Sequence, residues 1–462
     1  MMLLRHSTIA CATVALALAL PGCNDGGGSD AFNNDSASGG AQDESGTPGT
    51  QGSTASDSNG STGATSNTSS SSGADETSGG DIKLDVGAPE GGLGPCGCEL
   101  AYIWVANADE GTVSKINVRT LEEEGRYITR PDGNGNPSRT SVNLAGDVAV
   151  ANRHGGLTKI FAEEGDCLDT NGMPGIQTSS GPADVLPWGV EECVAWHTEF
   201  ATTNQRPVAW IGGAVTPGTC DSMDQKVWTV SSENPGLGPG IGGAGGVRVS
   251  LVDGDTGVVD DEIIVPIEEF DGGNLGAYGG AVDADGNLFF VHMGSVTLGP
   301  RLGRVDIDTM EYTTWALPAG VASYGITVDH LGRVWISSTL GAGVARFDPE
   351  TETWDTVGGF VSLGGLAEGP NNHMWIATSM GAVSVDLDTL ERGPTFIAQQ
   401  GGEAKGVSVD IDGYVWVVNQ WAWKVDPATG LDVGFYNGLT SPYTYSDMTG
   451  YALGNVICPP EG

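Results

Sequence analysis

The chain has 462 residues, with 59 Asp and Glu against 19 Lys and Arg, for a net charge of −40. Such a chain is a poor partner for nucleic acid, whose phosphates need Lys and Arg, and it offers little to an anionic lipid surface. The acidity reads instead as a device for solubility.

In chain order, Met1 to His6 is a short basic start, and Thr8 to Leu20 is an apolar run. The run is too short to cross a bilayer, which takes about 20 apolar residues. A secretory signal peptide over residues 1–22 is expected. It ends in Leu20-Pro21-Gly22-Cys23, which resembles the lipobox of bacterial lipoproteins. The resemblance implies cleavage before Cys23 and a lipid on its thiol. Asn24 follows, so under the common sorting rule the protein would reach the outer membrane, periplasmic or surface-exposed. Residues 23–90 form a linker of Gly, Ser, Thr, Asp and Asn, with no Trp, Tyr, Leu or Val between Asn24 and Leu84. It cannot bury enough apolar surface to fold. As a flexible coil it would reach about 45 Å, enough to hold a folded head off a membrane.

Residues 91–462 carry an internal repeat. Trp335, Trp375 and Trp416 stand at steps of 40 and 41 residues within Tyr324-Gly-Ile-Thr-Val-Asp329, Gly364-Gly-Leu-Ala-Glu368 and Lys405-Gly-Val-Ser-Val-Asp410 copies. An earlier copy begins at Tyr278 and places Phe289 at the tryptophan position. Each copy reads as four short strands with Gly, Asp and Asn turns, with an apolar–basic–apolar–Asp-Pro pattern in third strands such as Ala345-Arg-Phe-Asp-Pro349 and Trp423-Lys-Val-Asp-Pro427. Four strands in about 40 residues make one propeller blade. Weaker copies around Trp228, Asp147 and Trp104 bring the total to seven. The first copy lacks an inner strand, and Tyr443 to Leu453 is the candidate to supply it. An all-β, seven-bladed propeller closed by exchange of terminal strands is therefore expected, with helix scarce.

The Tyr-Gly-Ile-Thr-Val-Asp…Gly-x-Val-Trp pattern and Arg-Phe-Asp-Pro resemble the streptogramin lyase (virginiamycin B lyase) family, and more loosely propellers of the NHL and gluconolactonase type. That resemblance is best over residues 275–430 and implies the fold. It also implies chemistry by a His, acidic residues and magnesium near the axis. The corresponding second-strand positions here are Asn107, Asn152, Ser231, His292, Ser338, Thr378 and Asn419. None is acidic, so the catalytic motif does not carry over. His292 is the one candidate base.

The expected ligand mouth combines Asn107, Arg139, Asn152, His154, Tyr278, His292, Tyr324, Lys405, Asn419 and Tyr445. Most of these end a second strand or precede an inner-strand Gly, positions that face one end of the axis. Asp132, Asn134 and Asn136 resemble the start of a calcium loop, although Asn143 stands where a closing Glu belongs. No cofactor is expected, with magnesium or calcium the only ions these residues would suit. Cys96, Cys98, Cys167, Cys193, Cys220 and Cys458 are an even set for disulfides in an exported chain. Cys167–Cys193 is the expected pair in the third and fourth strands of blade two, and Cys458 is expected to bond Cys96 or Cys98. The leading function is a monomeric, membrane-tethered module that binds a protein, glycan or small molecule. A C–O lyase or hydrolase with a divergent site is the alternative.

Overall fold

The computed structural model describes residues 101–458, apart from 216–221, 234–244, 272–274, 293–297, 340–342 and 361–363. The signal peptide, Cys23, the linker, Cys96, Cys98 and Cys220 lie outside the described residues.

Seven antiparallel blades follow one another along the chain. Blade one holds Tyr102–Asn107, Thr112–Asn117 and Glu123–Ile128. The inner strands of the next six are Pro137–Val142, Val208–Ile211, Ala277–Val282, Ser323–Val328, Leu366–Gly369 and Gly406–Val409. Each of those six blades has four strands, and inner strands of successive blades lie side by side. Blade three also carries a small hairpin of Ala214–Val215 and Ser222–Met223. Apolar residues of the inner and second strands form the core between blades.

The conserved-looking steps of the repeat are turn chemistry. In blades five and seven the Asp after the inner strand closes the next turn and caps the indole behind it. Asp329 accepts N–H bonds from Leu331 and Arg333 through Oδ1, while Oδ2 accepts from Trp335 Nε1 at 2.8 Å. Asp410 does the same for Asp412, Tyr414 and Trp416. A second motif closes the turn from third to outer strand. Asn117, Asp253, Asp306 and Asp386 each accept the backbone N–H of a Thr three residues on. Such local acceptors favour turns over continued strand.

The tail closes the ring. Residues 441–448 run beside Tyr102–Asn107: Trp104 N donates to Met448 O, Tyr443 N to Ala106 O and Ala108 N to Ser441 O, at 2.8 to 3.1 Å. On the other side Ser446 Oγ bonds Thr140 of blade two, and Thr449 bonds Ser408 of blade seven. The pairing is looser than a regular strand, with one bridge at Asn107 and Pro442. The expected strand to Leu453 stops early. Asp447 Oδ1 takes the N–H groups of Thr449 and Gly450, Gly450 turns left-handed at φ 81°, and Tyr451–Ile457 is a helix.

Cys167 and Cys193 are disulfide-bonded. The sequence placed them in the third and fourth strands of blade two, but neither lies within a strand. The third strand ends at Ile160, and the bond joins the two ends of the insertion before Val194–Thr198. Cys458 is also disulfide-bonded; its expected partners, Cys96 and Cys98, lie outside the described residues.

Candidate functional site

A propeller's inner strands are closest at the axis, so equivalent positions from different blades meet there. The residues that start the inner strands meet at the mouth. Arg139 comes from blade two, Arg206 precedes the inner strand of blade three, Tyr278 and Tyr324 start those of blades four and five, and Tyr443 and Tyr445 lie on the closing segment.

The rings pack directly. Tyr278, Tyr324 and Tyr445 have centroids 4.6 to 5.5 Å apart, and all three are buried. Tyr443 stands edge-on to Tyr445 at 5.3 Å. Its hydroxyl lies 2.8 Å from that of Tyr278 and 3.2 Å from that of Tyr324. The arginines sit on the ring faces: Arg206 is 4.9 Å from the Tyr278 centroid, Arg153 is 4.5 Å from that of Tyr443, and Arg139 lies over Tyr445. Desolvated cation–π contacts of this kind contribute about 2 kcal/mol. Arg139 also donates to the carbonyls of Ser138 and Tyr278, at 2.9 and 2.7 Å. Lys405 reaches the Tyr324 ring at 5.9 Å and pairs with Glu403 at the exposed rim.

Burial, with a smaller push from the like charge of Arg206, brings Arg139 down to about 9. It therefore remains charged at neutral pH. Burial pushes Tyr278 and Tyr324 up, so both keep their protons. Tyr443 moves the other way. Its burial opposes ionisation, but Arg206, the Tyr278 and Tyr324 hydroxyls and Arg139 together outweigh it. Several buried polar atoms here have no hydrogen-bond partner: Arg206 Nε, Tyr445 OH, Asn204 Oδ1 and Gln205 Oε1. A native interior leaves few such atoms without a reason.

The structure thus brings together four residues of the expected mouth: Arg139, Tyr278, Tyr324 and Tyr445, with Lys405 at the rim. Apart from half-buried Thr378, which accepts from Met380 N, the second-strand set sits elsewhere, in buried fasteners. Asn107 bonds Thr112, Ser114 and the N–H of Thr440. Asn152 exchanges bonds with Thr129. Ser231 bonds Thr202, and Ser338 accepts from Ala322 N. Asn419 holds Gln400, Gly402 and the Trp423 indole. His154 is bonded to the carbonyl of Asn134. His292 is fully buried against Phe270, with Nε2 accepting from Arg301 N; burial brings it down to about 4, so it is neutral at pH 7.

Asp132 makes a local turn to Asn134 N and faces Arg130 at 3.5 Å. Among the described residues no group of three His, Cys, Asp or Glu side chains could hold a metal ion. Arg206 and Tyr443 were not in the expected set. Arg206 occupies the repeat position of Tyr278 and Tyr324. Its neighbours Gln205 and Pro207 hide that alignment, because the Gly of the other copies is missing.

No family model matches this sequence, and no curated protein matches it. Among solved structures, the chain is similar to a streptogramin B lyase at 14% identity, covering 72% of this chain and 92% of that one, with a TM-score of 0.47. It is similar to virginiamycin B lyase from Staphylococcus aureus at 15% identity, covering 51% and 73%, with a TM-score of 0.38. A functionally unknown protein from Desulfotomaculum acetoxidans gives 12% identity, 74% and 96% coverage and a TM-score of 0.49.

Proposed function

We propose that the protein is a binding module held at the cell envelope by a lipid on Cys23, and that it takes its ligand at the axial mouth of the propeller. One observation carries the binding reading. Arginines and tyrosines from four blades and the closing segment converge on one point, where buried polar atoms have no partner. Rigid aromatic and guanidinium groups are the residues that anchor ligands with little entropy loss. The anchoring rests on the signal-like start, Leu20-Pro21-Gly22-Cys23 and the linker, which together would present the head away from the membrane. The lyase-like alternative gains no support from the second-strand residues. Its candidate base, His292, is buried with Nε2 already accepting a bond.

Thermal melting of the whole protein against a panel of small anions, neutral sugars and amines tests the binding reading, with Tyr443→Phe in parallel. A ligand that raises the midpoint of the wild type by several degrees, and that of the variant by less, supports it. A panel that shifts neither protein, or both alike, sinks it. Loss of fatty-acid labelling in Cys23→Ser would support the anchor; unchanged labelling would remove it.

A further inference from the structure

We infer that the ligand of this mouth is an oxyanion: a small molecule that presents a carboxylate or phosphate group to Arg206, Tyr443 and Tyr445. The inference rests on the binding reading and adds the chemical class.

The first argument is charge accounting across the fold. Three other buried cations among the described residues have carboxylate partners, whereas Lys115 donates to the carbonyl of Ala162. Arg126 pairs with Glu123 and Glu110, Lys159 with Asp147, and Lys424 with Asp410. A buried charge without a partner is costly, so pairing is the rule. Arg139 and Arg206 also lack such a partner, and they do so side by side. Both are at most 4% exposed, and among the described residues no carboxylate pairs with either. Arg139 is satisfied by ring faces and two carbonyls. Arg206 leaves Nε without a partner. In a chain with about three acids for each base, leaving two arginines uncountered at one point is a specific arrangement.

The second argument is the donor set. Tyr445 OH has no partner. Tyr443 OH lies within hydrogen-bonding distance of the hydroxyls of Tyr278 and Tyr324, and either oxygen of each pair can donate. A guanidinium fork flanked by phenol donors matches the two or three oxygens of a carboxylate or phosphate. Tyr443 and Arg153 are half-buried, so the rim of the cluster faces solvent.

The test is calorimetric titration of the whole protein with inorganic phosphate, with citrate and with glucose, in a buffer free of other oxyanions. Phosphate or citrate should bind, and Arg206→Gln should weaken that binding at least tenfold, with Arg206→Lys recovering part of it. Should Arg206→Gln fail to fold by circular dichroism, Tyr443→Phe at the rim replaces it, with a loss of several fold expected. Phosphate binding without citrate binding would assign the phosphate class, and the converse the carboxylate class. Binding of glucose but of neither anion would overturn the oxyanion and leave the binding reading standing. Anion binding unchanged in every variant would place the anion elsewhere and overturn the inference. No binding by any of the three would overturn it as well; only a failed panel would take the binding reading with it.

Discussion

The guanidinium of Arg139 lies against the ring of Tyr445, so the first residues of blade two grip the segment that closes blade one. Ring closure and the candidate site therefore share a residue. The two roles are separable at the hydroxyl. The Tyr445 ring is buried against Tyr278 and Tyr324, while its hydroxyl has no partner. Tyr445→Ala should cost about 3–5 kcal/mol of stability, as for large aromatic deletions in cores. Tyr445→Phe should change stability by less than about 1 kcal/mol, because no hydrogen bond is lost. Urea unfolding of both variants, beside phosphate titration of Tyr445→Phe, checks this. A Phe variant as unstable as the Ala variant would mean that the hydroxyl is structural.

Asp329 tests whether the repeat is turn chemistry. Its carboxylate takes two backbone N–H groups, the Trp335 indole and the Arg333 side chain at 2.7 Å. Asp329→Ala would leave the fully buried Trp335 N–H without its partner and open the turn, for a loss of about 3 kcal/mol. Asp329→Asn keeps an acceptor and should lose about half as much. Equal losses in denaturant titrations would show that charge, rather than the acceptor, holds the turn.

How much of this was legible depends on what a residue's neighbours in sequence reveal. The blades were, because period-two strands and Asp-Gly turns are local signals and Trp335, Trp375 and Trp416 set the register. The closing segment was legible through a deficit, an unpaired inner edge at Tyr102–Asn107. The helix Tyr451–Ile457 was not: seven residues show no period, and its start depends on the left-handed Gly450. The mouth was half legible. Tyr278, Tyr324 and Tyr445 share a repeat position, whereas Arg206 is masked by its atypical neighbours. Asn107, Asn152 and Asn419 were misplaced because the last residue of a second strand bonds the connection leading into its blade's inner segment, at Thr440, Thr129 and Gln400.

The Cys167–Cys193 bond spans 26 residues and closes the insertion of blade two. In the chain-entropy account a loop of that size gains about 3.5 kcal/mol. The insertion is also held without it. Glu192 accepts the N–H groups of Thr170, Asn171 and Gln177, and Glu191 those of Ser179 and Cys193. Replacing both cysteines with Ser should therefore lower global stability by about 2–4 kcal/mol and leave the insertion in place. Hydrogen exchange should show residues 170–179 still protected. Rapid exchange throughout that stretch would mean that the disulfide alone orders it.

Asp447 makes stability depend on pH. It faces a small cavity on the axis beside Ser141, Trp210, Thr327, Ser408 and Leu453. Oδ1 holds the turn into the helix, Oδ2 has no partner, and burial pushes its pKa up from 3.8 to about 6. The folded protein thus holds this proton more tightly than the unfolded chain does. Between pH 3.8 and about 6 it binds more protons, so stability falls as pH rises through that window. The contribution is complete below pH 3.8 and gone above about 6. Asp447→Asn keeps the acceptor and stays neutral. It should match the wild type near pH 4 and exceed it at pH 8 by roughly 2–3 kcal/mol. Urea titrations of both proteins across that range check the sign. A gap that stays flat from pH 4 to 8 would show that Asp447 titrates as a solvated carboxylate, and a gap of opposite sign that Oδ2 is stabilised as an anion in the folded state.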